Sequence, residues 1–376
     1  MAGLYVHIPF CRSKCAYCDF YSAPFRESEA AQRYVDSLLT ELRLRLPEIA
    51  EPFSTVYLGG GTPSLLSDSL LAKLMTGISR AIDVCAVEEL TVEANPEDIS
   101  PEKLNFYMSL GINRVSIGIQ SFSDSSLRAI GRQHSAEISL QALDALAASG
   151  VNYNADLIYA LPGQTPDQWR DELNRLISFR PPHISAYLLS YEPGTRLHSR
   201  MLAGKIEEAS EQTVNEMYAE ACAMLAEHGY EHYEIANFAL SNRRSRHNSA
   251  YWRFAPYLGL GAGAHSFDGL KRRYNPNSIK NYISSLSENQ PYFVIEERTA
   301  EDNFNETILV GLRTERGIDA RKCLEMLKNE KDRKLFSNQV SAFMQSGRLI
   351  HSENGSLRIP ESEWLTADAV IRDLFC

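Results

Sequence analysis

From Leu4 to Leu189 the chain repeats one pattern six times: a short apolar run, then a segment with helical periodicity. That alternation leaves few folds open. Strands are predicted at Leu4–Ile8, Thr55–Leu58, Glu89–Glu93, Arg114–Gly118, Tyr153–Tyr159 and Ile184–Leu189. Between them, Val35, Leu38, Leu39, Leu42 and Leu46 share one helical face, as do Leu70, Leu71, Leu74, Ile78 and Ile82. Ser100-Pro101 supplies a cap and a first-turn proline for the next helix, and Gly111 and Gly150 stand where helices end. Strands that return through helices pair in parallel with right-handed crossovers. Runs apolar on both sides belong in a sheet covered on both faces. The expected class is therefore α/β, a partial (β/α)6 barrel, with its site at the C-terminal strand ends.

The first strand delivers a cysteine-rich loop from its C-terminal end. Cys11, Cys15 and Cys18 follow one another at spacings of C-x3-C-x2-C, so a single loop can turn three thiolates toward one centre. The next cysteine is Cys85, in an unrelated segment. A structural zinc site needs four closed ligands, and His7 is the one neighbour that could complete a three-cysteine, one-histidine set. The favoured reading is an iron–sulfur cluster held by three thiolates, with one iron open to an outside ligand. With Tyr17 directly before the third cysteine, the loop resembles that of the radical S-adenosylmethionine (SAM) superfamily. The resemblance implies a 4Fe-4S cluster whose open iron chelates the amino and carboxylate groups of SAM, the cofactor then supplying the radical chemistry.

Other polar residues leave strands at the same end. Gly59-Gly60-Gly61-Thr62 reads on its own as a tight turn needing positive φ; after such a cysteine loop it is similar to the SAM-binding glycine motif, where side chains would obstruct the ligand. Glu93 and Gln120 end the third and fourth strands. Asp156 lies inside an apolar strand, and a buried carboxylate must be paired or must ligate something; Arg132 is a candidate charge partner. Taken together these segments resemble the oxygen-independent coproporphyrinogen oxidase-like (HemN/HemW) family, along nearly the whole chain. The resemblance implies SAM contacts at Tyr5, Tyr17, Gly60, Gly61, Thr62, Glu93, Gln120, Arg132 and Asp156, and cluster ligation by Cys11, Cys15 and Cys18.

Two branches of that family are separable. The coproporphyrinogen III dehydrogenases carry a fourth cysteine two places after the third and an extension before the motif; here the position is Phe20, and ten residues precede Cys11. Arg246-His247-Asn248-Ser249-Ala250-Tyr251-Trp252 resembles the H-N-x-x-Y-W heme motif of the heme-chaperone branch. His247 or Tyr251 would be the axial ligand to iron; on its own, an aromatic loop with one histidine is more often structural. The resemblance thus implies a protein that carries cluster, SAM and heme, and hands heme to apo-hemoproteins of the respiratory chain without dehydrogenase activity. The alternative is the dehydrogenase itself, oxidatively decarboxylating coproporphyrinogen to protoporphyrinogen IX.

Composition narrows the partners. A net charge of −10 argues against a nucleic-acid partner. No apolar run reaches membrane-spanning length and Met1-Ala2-Gly3 starts no signal peptide, so a cytoplasmic protein is expected. Seven cysteines, three of them clustered, fit metal binding in a reducing compartment. Cys222 reads as a packing residue, and His232 and His351 as surface or packing residues. Peripheral membrane association and a homodimer stay open. Three regions are expected: residues 1–230 as the barrel, 231–289 as an extension with the heme motif, and 290–376 as a winged-helix-like tail. In that tail, helices precede a hairpin turned by Asn354-Gly355.

Overall fold

Strand β1 (Ala2–Ile8) is buried almost throughout, and the sheet grows from it in both directions. In the computed structural model, which describes residues 1–25, 29–352 and 354–376, β1 is followed by β2 (Phe53–Gly60), β3 (Glu89–Ala94), β4 (Arg114–Gln120), β5 (Asn152–Tyr159) and β6 (His183–Leu188). These six are parallel neighbours in sequence order, with registers such as Tyr5 to Tyr57, Val56 to Leu90 and Ala155 to Ile184. The expected α/β partial barrel is the fold observed.

Intervening helices form where their signals stand. They are α1 (Glu29–Arg45), α2 (Asp68–Ala81), α3 (Pro101–Ser109), α4 (Ala136–Ser149) and α5 (Pro166–Ser178). Ser67, Ser100 and Ser135 cap α2, α3 and α4 by accepting a backbone N–H of the first turn. Gly150 closes α4 in the left-handed conformation, and Thr165 with Gln168 makes a capping box on α5.

On the other side of β1 lies a seventh parallel strand, β7 (Tyr257–Leu260), extended by the short antiparallel strands β8 (His265–Phe267), β9 (Arg272–Tyr274) and β10 (Val294–Ile295). A buried ion pair fastens it. Arg45 of α1 donates to Glu41 at 2.8 Å and to the Gly259 carbonyl at 3.2 Å. Glu41 accepts from Gly261 N at 2.9 Å and from Tyr282 OH at 2.6 Å.

This sheet and its helices occupy one compact unit, Met1–Met217 with Ser245–Glu296; Tyr218–Arg244 and Glu297–Cys376 form another. In the second unit, helices Ala300–Leu312, Ala320–Met326 and Glu330–Gln345 precede an antiparallel hairpin, Ile350–His351 with Leu357–Arg358. Gly355 takes its turn at φ +83°. The order is the winged-helix-like one, packed around Phe304, Ile308, Phe336 and Trp364. Among the described residues, no helix is long and apolar enough to cross a membrane.

Candidate functional site

The cysteine loop is tied down at each end and in the middle. Phe10–Cys11 pairs with Ala23–Pro24, and Phe25 N donates to the Cys11 carbonyl at 2.7 Å. In the middle, Ala16 N donates to Ile130 O at 2.8 Å and Ala16 O accepts from Leu197 N at 2.7 Å. Ala16 and Tyr17 pack on a small core of Ile130, Ile158, Leu161, Leu189 and Leu197. Backbone and apolar contacts therefore fix the loop, leaving the thiols free for a ligand. All three line one cavity of about 490 Å³ at the C-terminal strand ends. His7, the candidate fourth zinc ligand, is committed elsewhere: Nδ1 is bonded to Tyr5 OH at 2.9 Å and Nε2 to the Tyr21 carbonyl at 3.1 Å. With both ring nitrogens engaged, His7 is not placed to complete a three-cysteine, one-histidine zinc site.

The same cavity is lined by Tyr17, Gly60, Gly61, Thr62, Glu93, Gln120, Arg132 and Asp156. Glu93 accepts from Gly60 N at 2.9 Å and from Tyr57 OH at 2.7 Å, and burial pushes its carboxyl up to about 7. Thr62 Oγ1 approaches Cys11 Sγ at 3.7 Å. Arg132 donates to Asn95 Oδ1 and to the Gly118 carbonyl, each at 2.8 Å, and reaches Cys15 Sγ at 3.7 Å. Arg132 is thus not hydrogen-bonded to Asp156, contrary to the expected pairing. Asp156 accepts from Asn154 Nδ2 at 2.7 Å and from Ser116 Oγ at 3.5 Å, while burial raises the Asp156 carboxyl above the ordinary value. Buried atoms of the wall, Gln120 Oε1 and Arg132 Nε among them, have no hydrogen-bond partner among the described residues. Gln120 also holds φ +66°, a strained value for a side chain of its kind. A cavity with unspent hydrogen-bonding atoms beside three thiols suits a polar ligand that meets the open metal position.

The glycines, which line the cavity, also answer to close neighbours behind it. A Cβ on Gly60 would meet the His7 ring at 2.4 Å, and one on Gly61 the Phe10 carbonyl at 2.7 Å. Their missing side chains make room for β1 and the cysteine loop. Asn95, directly after β3, was not singled out from sequence although a polar residue at a strand end was the available signal; it holds Arg132 and lies 3.5 Å from Thr62 Oγ1. Phe20, Tyr187 and Leu188 form an exposed apolar rim on the cavity.

Tyr5, His247 and Tyr251 lie outside this lining. Tyr5 faces Tyr57 in a stack at 6.1 Å. His247 belongs to α6 (Arg246–Tyr251) at the opposite end of the strands. There it packs against Gly3, and its Nδ1 is 2.7 Å from Thr55 Oγ1. Its Nε2 is 2.8 Å from Tyr251 OH, so whichever tautomer is present the ring's one lone pair accepts a hydroxyl. Burial pushes the imidazole down to about 3. Glu89, the first residue of β3, accepts from the backbone N–H groups of Arg246 and His247, each at 2.9 Å. Thr55 and Gly60 stand five positions apart on β2, roughly 16 Å of strand. Tyr57 sits between, bonded to Glu93 and stacked on His247 at 5.0 Å.

A three-cysteine loop mounted over a cavity at the C-terminal ends of parallel strands is the arrangement of the radical SAM class. Residues 5–176 match the family model described as the Radical SAM superfamily, which implies a 4Fe-4S cluster and SAM. The chain is 34% identical to "Heme chaperone HemW" of Bacillus subtilis (strain 168), covering 94% of each chain. It is 32% identical to the protein of that name in Lactococcus lactis, over 95% of this chain and 93% of the other. It belongs to the HemW family, within the HemN-like radical SAM proteins. A solved structure of Escherichia coli coproporphyrinogen III oxidase (HemN) superposes with a TM-score of 0.84 at 22% identity, covering 100% of this chain and 90% of that one, and shares its fold.

Proposed function

We propose that this chain is a heme chaperone: it carries a 4Fe-4S cluster on Cys11, Cys15 and Cys18, holds SAM in the adjoining cavity, binds heme through His247 or Tyr251, and passes it to apo-hemoproteins of the respiratory chain. When bound, the cluster supplies an electron for reductive chemistry at SAM. The protein's own part is to seat SAM, with Glu93, Gln120, Arg132 and Asp156 offering carboxylate, amide and guanidinium groups around it. Tyr5 acts on that site from behind, through the Tyr57 stack.

The observation that carries the reading is the separation of α6 from the cysteine cavity along β2. A macrocycle held on His247 or Tyr251 lies away from any radical formed beside the cluster, which suits holding better than remodelling. The names of the relatives support the same reading, as does Phe20 in place of a fourth cysteine. Because both imidazole nitrogens are engaged, heme must displace a hydroxyl to reach iron-ligating distance. Loading therefore involves loosening α6.

The test is an anaerobic hemin titration of the reconstituted protein, wild type against His247→Ala, with a coproporphyrinogen turnover assay alongside. Saturable Soret changes weakened about 10-fold or more by the substitution, without turnover, are expected. Turnover to protoporphyrinogen with unspecific heme uptake would make the protein the dehydrogenase instead.

A further inference from the structure

We propose that Cys222, His232 and Glu361, in the second unit, form a binding site for a divalent cation of zinc type. The three come from a helix (Glu211–Glu227), a strand (Glu231–Glu234) and a 3-10 helix (Glu361–Thr366). Their donor atoms nonetheless all lie within 4.8 Å of one another. His232 Nδ1 is 3.7 Å from Cys222 Sγ and 2.8 Å from Glu361 Oε1. Around a tetrahedral ion with bonds of about 2.0–2.3 Å, neighbouring ligand atoms stand roughly 3.3–3.7 Å apart. The sulfur already has that spacing, and the carboxylate reaches it by a small shift of a side chain about half exposed.

The imidazole is held for one task. Its ring lies face to face with Phe238 at 4.0 Å and edge-on to Trp364 at 4.5 Å, and only 3% of the side chain is exposed. Trp364 is itself fixed, its indole N–H donating to the Ile359 carbonyl at 3.0 Å. His247 bridges two protein groups with its two nitrogens, whereas Nε2 of His232 is buried without a hydrogen-bond partner among the described residues. The ring is therefore not a bridge; its one working atom is Nδ1, aimed at a thiol and a carboxylate. Thiolate, imidazole and carboxylate together are a zinc ligand set. Binding releases the thiol proton to solvent and breaks the Nδ1 hydrogen bond to Glu361, the Nδ1 proton passing to Nε2 so that the neutral ring offers Nδ1 to the ion. His232 and Glu361 also line a cavity of about 570 Å³. A fourth position there stays open to water, which makes the ion exchangeable rather than locked.

The experiment uses the full-length, anaerobically reconstituted protein, given zinc and freed of excess by gel filtration. Zinc per chain is measured by mass spectrometry, its surroundings by absorption at the zinc K-edge, and its affinity by competition with a chromophoric chelator. Expected are one zinc per chain with a single sulfur at about 2.3 Å and nitrogen or oxygen at about 2.0–2.2 Å. Cys222→Ser and Glu361→Gln should each weaken binding at least ~10-fold at unchanged iron content. Glu361→Gln alters an accessible carboxylate and leaves the fold intact, so a folding defect in Cys222→Ser cannot hide the answer. Zinc bound as tightly in both variants, zinc surrounded by three sulfurs, or no zinc retained by the wild type would overturn the site and leave an ordinary His232–Glu361 pair.

Discussion

Gly61 shows how much one hydrogen atom decides in this molecule. The position its Cβ would take is 2.7 Å from the Phe10 carbonyl and 2.9 Å from that of Ile8. Both are backbone atoms of the segment that delivers Cys11, and backbone yields far less than the tip of a flexible side chain. Overpacking of this kind costs about 1–3 kcal/mol. Gly61→Ala should therefore displace the cysteine loop, lowering iron retained after anaerobic reconstitution by half or more, together with the melting temperature. Full iron content with weakened SAM affinity in a calorimetric titration would return Gly61 to the ligand-contact role read from sequence. Glycine at a strand end announces that space is scarce. It does not announce which neighbour needs the space, because that neighbour comes from a strand fifty residues away.

Among the elements, α6 is the one whose stability bears on the proposed heme loading. Two of its N-terminal N–H groups are accepted by the Glu89 carboxylate, beside the Ser245 hydroxyl that accepts from Asn248 N. Replacing Glu89 with Ala strips that acceptor from two donors, the buried His247 N–H and the part-buried Arg246 N–H, a loss of about 2–3 kcal/mol. The expected result is faster amide exchange across residues 246–251 and, if heme loads by loosening this helix, faster heme uptake than in wild type. Faster amide exchange with unaltered uptake would detach α6 from heme loading. Glu89 also marks where sequence reading stops. The six parallel strands, their helices and the cysteine loop were legible because each is announced locally, by periodicity, a cap or ligand spacing. The strand β7, only Tyr-Leu-Gly-Leu, carries no such local signal; it is made a strand by β1 and by the buried Glu41–Arg45 pair under it. Likewise His247 was legible as a heme-motif residue, but its engagement by Thr55 and Tyr251 is tertiary information.

Over the whole first unit, buried titratable groups of opposite kinds set the dependence of stability on pH. Burial raises the carboxyls of Glu93 and Glu172 to about 7 and that of Asp156 above its ordinary value. Burial also lowers the imidazoles of His134 to about 4, His247 to about 3 and His183 well below 6.5. A carboxyl with a raised folded value binds its proton more tightly when folded, so its contribution is complete below about 4.5 and is lost as pH climbs through about 7. An imidazole with a lowered folded value behaves in reverse: its contribution is complete above about 6.5 and is lost as pH falls toward its folded value. Between about 4.5 and 6.5 the two sets oppose each other. Above 6.5 the imidazoles fall silent, and Glu93 and Glu172 still lose their protons, each at up to about 1.4 kcal/mol per pH unit. The unloaded protein should therefore melt at lower temperature at pH 8 than at pH 6. In Glu93→Gln one of the two groups is gone, so the decline between those values should be about half as steep, a difference of roughly 2 °C per pH unit for a unit of this size. Melting curves recorded by circular dichroism at half-unit intervals decide it. Equal slopes in variant and wild type would mean that Glu93 is already ionised in the folded protein at pH 6, with Tyr57 and Gly60 N–H stabilising the charge more than burial opposes it.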